Sequence, residues 1–311
     1  MSRVPRLVLL LVLAAAVALI GSQGGRPLFS LYEDARLFVR DQHRAVNAWF
    51  GLPLPGTPDL SKLDQRLKLK GLSRGDPIFI RIFKRDSELE LWMLKDGRYT
   101  LFETYPICFW SGRLGPKLAQ GDAQSPEGFY TVSKGQLNPN SQYYRSFDLG
   151  FPNAFDRFHG RTGSHLMVHG DCVSRGCYAM TDAVMGEIWA LVTAALDGPQ
   201  SNFGVHVFPF RPTAWRLSLY DNHSGAQFWA DLKPAYDAFE AKRIPPQIFA
   251  CRGRYVIREV DKAAPTHPPV RALCPDAVAA RSSHIRRTPF GAAGDPKAGA
   301  LRAAMPKGSS S

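Results

Sequence analysis

Long apolar runs are scarce in this sequence. Among 311 residues, only Leu7 to Ile20 runs apolar without a break, for 14 positions. A membrane-spanning helix takes about 20 such residues, so no second membrane segment is expected. Cysteine is scarce as well: five residues, at positions 108, 172, 177, 251 and 274. No two of them form a C-x-x-C pair, which argues against the usual dithiol redox motif and against paired zinc ligands. No internal repeat is present, which argues against solenoids and arrays. Acidic residues are outnumbered, 27 against 39 Lys and Arg, leaving a net charge of +12. No nucleic-acid-binding motif accompanies that excess, so no nucleic-acid partner is expected.

The N-terminus indicates the compartment. Arg3 and Arg6 precede the apolar run, and Gly21, Ser22, Gln23 and Gly24 follow it. This three-part order over residues 1–24 is that of a secretory signal or of an uncleaved N-terminal anchor. Either one places the remainder outside the cytoplasm, in the periplasm or its equivalent. An odd number of cysteines there leaves one thiol free or paired between chains. From Arg252 to Ser311 the chain has 11 Lys/Arg and 4 Asp/Glu, a net of +7. This Pro-, Ala- and Arg-rich end is expected to be a disordered tail over 259–311 that meets anionic wall carboxylates or lipid headgroups. A disulfide between Cys251 and Cys274 would tie its start to the body.

Between these ends the pattern reads as mainly β with packed helices, an α+β domain over 75–215. A helical and irregular segment (25–74) precedes it, broken by the Gly- and Pro-rich stretch 51–58. IFIRIF (78–83) and LELWML (89–94) have strand composition. Asp96-Gly97 between β-rich runs predicts a two-residue hairpin. Further short strands are expected at 129–132, 166–169 and 204–208. Thr181 is a candidate N-cap for a helix with apolar residues at 184, 188, 191, 192 and 195. A helical extension is expected over 216–258, with Ser224 and Gln227 as a capping box and Pro234 kinking or splitting the helix.

Reactive side chains concentrate in LMVHGDCVSRGCYAM, residues 166–180. An apolar strand delivers His169, and Asp171, Cys172, Ser174, Arg175, Gly176 and Cys177 follow before a helix begins. A cysteine attacks carbonyl groups as the thiolate, and a neighbouring imidazole can take its proton. Backbone N–H groups around Cys177 are candidates to hold an oxyanion. Asp171, Ser174 or a backbone carbonyl could orient the imidazole. On residues alone two structural readings stay open, a Cys172–Cys177 disulfide loop and a pair of packed thiols. The C-x4-C spacing is wrong for the common zinc pairs, so no metal is assigned. His165 and His206 lie on apolar stretches and are expected to be packed or to face a partner.

The segment His169-Gly170 followed by Ser174-Arg175-Gly176-Cys177 resembles the signature of the L,D-transpeptidase (YkuD) catalytic domain, in its YafK-like branch. Gly115-Pro116-Lys117, Gly121-Asp122 and Ser125 to Tyr130 resemble a second stretch of that family. Phe147 to Asn153 with Asp156 and His159 to Gly163 resembles the approach to its active site. The resemblance implies a β-sandwich-like domain and cysteine acyl transfer on peptidoglycan stem peptides, with no cofactor. Cys177 matches the nucleophile, His169 the general base, and Ser174 and Gly176 the residues that shape the loop and oxyanion site. Arg175 stands where many members have a second His, and could hold a substrate carboxylate. Asp171, His159 and Arg161 are weaker candidates to line the substrate groove. Cys172 matches no catalytic position and reads as structural or regulatory. The acceptor could be an amine, giving transpeptidation, or water, giving an amidase that cuts diaminopimelate from the lysine of a wall-attached lipoprotein. A non-catalytic wall-binding module and a Cys172/Cys177 oxidoreductase are the rivals from other classes.

Overall fold

The computed structural model describes residues 28–274. The apolar run at the N-terminus and residues 275–311 of the expected tail lie outside this range. The first sheet has the order β3-β2-β1-β10-β5, formed by Arg98–Pro106, Glu88–Lys95, Ile78–Phe83, Asn202–Phe208 and Gly128–Ser133. The second has the order β4-β9-β8-β7-β6, formed by Phe109–Trp110, Tyr178–Ala179, Met167–His169, Tyr144–Asp148 and Leu137–Ser141. Helix α1 (Leu28–Trp49) and the short α2 (Leu63–Leu69) precede them. Helix α3 (Ala154–Phe158) and α4 (Asp182–Asp197) are inserted between strands, and α5 (Ala214–Ser218) and α6 (Ala226–Lys242) follow. One apolar cluster draws on both sheets and α4, with Ile80, Leu91 and Val205 meeting Phe147, Val168, Tyr178 and Ile188. The expected α+β class is what is found, as two mixed sheets with several packed helices.

Strand β1 explains the unbroken IFIRIF run. All six residues are buried, because one face meets the central core and the other lies under α6. Arg81 is tolerated there because its guanidinium is satisfied. Nε and Nη2 donate to Glu90 at 2.9 and 2.6 Å, and Nη1 donates to Glu240 of α6 at 2.8 Å. The Asp96-Gly97 hairpin forms with both residues at positive φ, 51° and 79°, the conformation that favours this dipeptide. Thr181 caps α4 as the spacing predicts, its hydroxyl accepting the Val184 N–H.

Several expectations need correction. The 216–258 span is not wholly helical, since it ends in the hairpin β11 (Gln247–Cys251) and β12 (Arg254–Arg258). The capping box at Ser224 does not form; Gly225 sits at the N-cap without a side-chain bond, and Gln227 turns to Asp231. Helix α6 runs unbroken through Pro234. Burial of Trp229, Leu232, Ala235 and Phe239 on either side outweighs the one missing backbone bond. Residues 259–274 are held in place on the surface rather than disordered. They have little apolar periodicity but are held at strand ends: Arg271 O accepts the Ala250 N–H, His267 N–H donates to Asn202, and Cys251 is bonded to Cys274. His165 is neither packed nor on a strand; it is exposed, with φ at 57°, whereas His206 is buried as expected. The β6–β7 pair had no sequence signal, because Leu-Asn-Pro-Asn-Ser is polar and contains a proline.

Glu90 also accepts from Arg211 at 2.7 Å and from the Trp92 indole at 2.9 Å. Glu90→Ala therefore leaves Arg81 buried with its main counter-ion gone, and is expected to lower unfolding stability by about 3–5 kcal/mol. Urea denaturation measures this, and a loss under about 1 kcal/mol would contradict the role given to the pair.

Candidate active site

Strand β8 lies in the middle of the second sheet and pairs in parallel with β9, Val168 opposite Tyr178 and His169 opposite Ala179. Val168 and Tyr178 point into the core. Side chains alternate along a strand, so His169 turns to the other face, and Cys177, one residue before β9, continues the alternation of that strand onto the same side. The register is continued one step further by the Met167 N–H, which donates to Cys177 Sγ at 3.3 Å. Sγ also lies 3.6 Å from the His165 carbonyl.

The imidazole of His169 is buried and rests on the Tyr143 ring, with centroids 5.0 Å apart. Its Nδ1 is 2.5 Å from the Gly170 carbonyl oxygen. A carbonyl only accepts, so Nδ1 carries the proton and Nε2 of the neutral ring holds a lone pair. A backbone carbonyl, rather than Asp171 or Ser174, is thus the group that orients the ring. Burial holds the imidazole below its ordinary pKa. Burial likewise pushes the Cys177 thiol up; the Met167 N–H and Lys117 act against this, and Asp148 adds to it. Both groups therefore rest neutral, and no hydrogen bond joins them among the described residues.

The backbone around Cys177 is held by serine hydroxyls. The Cys177 N–H donates to Ser174 Oγ at 2.8 Å, and its carbonyl accepts from Ser174 and Ser125 at 2.7 and 2.8 Å. The Gly176 N–H donates to Ser111 Oγ at 2.6 Å. The two N–H groups expected to be available to an oxyanion are thus both occupied in this state. Gly176 has φ at 117°, and a Cβ there would come within 3.2 Å of Leu166, so glycine suits the position. Ser174 bridges both backbone groups of Cys177, a loop-shaping arrangement.

Cys172 is bonded to Cys108, with Cα atoms 5.2 Å apart. This overturns the Cys172–Cys177 loop and leaves no dithiol pair for oxidoreduction. Cys177 is the free thiol among the described residues. Asp171 is exposed, and its N–H donates to Asp182 at 2.8 Å. Arg175 is exposed on the same loop. Two groove candidates fall elsewhere. Arg161 is buried, pairs with Asp156 at 2.8 Å and packs on Phe155 and Phe228, so its guanidinium is already committed. The His159 imidazole is 2.9 Å from the Gly253 carbonyl, in the β11–β12 turn. Both tie α3 to its surroundings rather than lining a groove beside Cys177. Ser111, Cys108 and Tyr143 were not foreseen and no local pattern marks them, while Asp148 lies in the segment that resembles the approach to the active site but was given no role. Lys117 and Ser125 lie in a motif segment whose role the sequence did not reveal.

The description "L,D-transpeptidase catalytic domain" of the YkuD family matches residues 80–207, from β1 to β10. A protein of Escherichia coli K12 named "Putative L,D-transpeptidase YafK" is 48% identical over 183 residues, 59% of this chain and 74% of that protein. This chain belongs to the L,D-transpeptidase family. Its counterpart in Escherichia coli O157:H7 matches equally. Among solved structures, the helical cell shape determining protein Pgp2 of Campylobacter jejuni is 20% identical, with a TM-score of 0.35 over 61% of this chain and 82% of that one. Bd1075 of Bdellovibrio bacteriovorus is 18% identical, with a TM-score of 0.31 over 54% and 59%.

Two predictions follow from the L,D-transpeptidase site. Unreduced protein takes up iodoacetamide once, at Cys177, and the rate rises with pH only above the ordinary thiol range, because burial raises the pKa. A rate already at its plateau at neutral pH would show a resting thiolate and contradict the neutral pair. Replacing Cys108 and Cys172 together by Ala opens a loop of 64 residues. The expected loss is about 2–4 kcal/mol of stability by denaturant unfolding, and an unchanged midpoint would contradict a stabilising bond.

Proposed function

We propose that this L,D-transpeptidase family member is an exported cysteine acyl-transfer enzyme acting on peptidoglycan stem peptides, with Cys177 as nucleophile and His169 as base. The observation carrying this is one free thiol sharing a sheet face with an imidazole whose Nδ1 is tied to a carbonyl. Two disulfides and the N-terminal signal pattern support export into an oxidising space.

In this reading His169 Nε2 takes the thiol proton as Cys177 Sγ attacks the carbonyl carbon on the L-centre of diaminopimelate. The oxyanion takes the Cys177 and Gly176 N–H groups as the Ser174 and Ser111 hydroxyls give way, so donors paired at rest are aimed at the charge as it forms. His169 returns the proton to the departing amine, leaving a thioester. An acceptor amine, deprotonated by His169, then forms the new amide and frees Cys177; water in its place gives hydrolysis. Arg175, exposed on the loop, would hold a stem-peptide carboxylate. The acceptor classes are another diaminopimelate or the lysine of a wall-attached lipoprotein, and the basic tail would hold the enzyme to an anionic wall or lipid surface.

The test is mass spectrometry of tetrapeptide muropeptides and of a muropeptide carrying a lysine peptide, with the enzyme and with its Cys177→Ala and His169→Asn forms. Cross-linked products, or release of the lysine peptide, from the unaltered enzyme alone would support transfer or hydrolysis respectively. Cys177→Ala is expected to abolish both, and His169→Asn to slow turnover about 10²–10⁴-fold. Full activity of Cys177→Ala would end this reading.

A further inference from the structure

Helix α1 is mounted with its polar side inward. Arg40 reaches the carbonyls of Arg85 and Asp86, and Arg44 donates to the Ser87 carbonyl at 2.9 Å. At 3.6 residues per turn, Phe38, Val39, Val46 and Trp49 fall within roughly 100° of one another on another side. All four are exposed, Trp49 by 85%, and no described residue covers them. An apolar sector facing outward along a helix fixed by its arginines is unlike a soluble surface helix, which buries that sector. Gln42 lies in the same sector between the two pairs, and an exposed apolar face of this kind, interrupted by one uncharged residue, marks an interaction site.

We infer that this sector of α1 lies in the headgroup layer of an anionic lipid bilayer. The chain itself names the occupant. The apolar run Leu7 to Ile20 ends only seven residues before Leu28, the start of α1. Seven residues span at most about 25 Å. A bilayer that receives the run therefore has the helix within reach of its surface. Trp49, the most exposed of the four, is of the residue type that favours the membrane interface. The chain's net charge of +12 suits anionic headgroups. The surface also leads to the loop of the site: Trp49, Phe109, Cys172 and Val173 line one cavity of about 560 Å³, with Phe109 and Val173 each about half exposed. Docking by α1 would hold the Cys177 loop beside the bilayer, where membrane-anchored peptides are met. The inference stands on the helix and does not rest on the proposed reaction.

The test reads Trp49 alone. Full-length protein and its Trp49→Phe form are reconstituted into vesicles of phosphatidylcholine and phosphatidylglycerol, with and without brominated acyl chains. Their difference in emission isolates Trp49. The expected result is blue-shifted Trp49 emission that loses most of its intensity to brominated lipid. Phe38→Glu combined with Val46→Glu removes both effects, while iodoacetamide labelling of Cys177 is unchanged. Red-shifted Trp49 emission, insensitive to bromine and quenched by aqueous acrylamide, would overturn the inference. So would Trp49 shielded from both quenchers in a cross-linkable dimer, which would assign the face to a second copy. The unaltered chain decides between these results even if a charged variant folds poorly.

Discussion

A one-residue slip of β9 against β8 would turn Tyr178 out of the core and put Cys177, the residue that leads into β9, on the opposite side from His169. The register therefore fixes the site, and the hydrophobic effect fixes the register. Val168 and Tyr178 are fully buried against Phe147, Val184 and Ile188. Exposing them would cost several kcal/mol, since each buried large side chain is worth about 1.5–3 kcal/mol. The Met167 N–H bond to Cys177 Sγ is the first contact beyond the ladder, so the thiol is placed by strand pairing itself. The loop between the strands only has to return the chain over eight residues, and the Cys108–Cys172 bond holds it.

Burial then decides the proton inventory. It lowers the imidazole's pKa and raises the thiol's, so both shifts favour the neutral forms. At rest the thiol and the imidazole are thus both neutral, with the imidazole proton on Nδ1, and not an ion pair. The same economy governs the backbone: the Gly176 and Cys177 N–H groups are paired with hydroxyls, avoiding the cost of about 1–3 kcal/mol for a buried unpaired donor. A hydroxyl is a weak partner compared with an oxyanion, whose charge-assisted bonds are roughly twice as strong. Exchange of Ser111 and Ser174 for a developing negative charge is therefore favourable only when that charge appears.

How much of this the sequence disclosed depended on whether the signal was local. Asp96-Gly97 and Thr181 act through their own turn, so the hairpin and the α4 cap were legible. His169, Gly176 and Cys177 were legible because the motif is contiguous. Arg161 misled because the ion pair with Asp156 and the ring of Phe228 are made by the fold, and composition made it resemble a groove residue. Ser111 left no trace, and the role of Ser125 was hidden although its segment resembles the family, because they reach the loop from 65 and 52 residues away. Pro234 shows the reverse case, a strong local signal overridden by burial of its helix.

The segment between β3 and β5 supplies this outer support almost without regular structure, and a buried cation accounts for that. The Lys84 ammonium is wholly buried and donates to the carbonyls of Arg113 and Ser125 at 2.6 and 2.8 Å, with Glu127 at 3.3 Å. An ammonium so placed is costly unless its donors are taken, and these carbonyls have no strand to pair with. Each satisfies the other's need. Burial lowers the lysine's pKa and Glu127 opposes that shift. The result is a fixed loop on which Ser111 accepts the Gly176 N–H, Ser125 donates to the Cys177 carbonyl, and Lys117 lies near enough to act on the thiol. The β8–β9 pair and this segment meet along the β4–β9 pairing and at the backbone of Gly176 and Cys177, so the proposed nucleophile sits where the two halves of the support must agree.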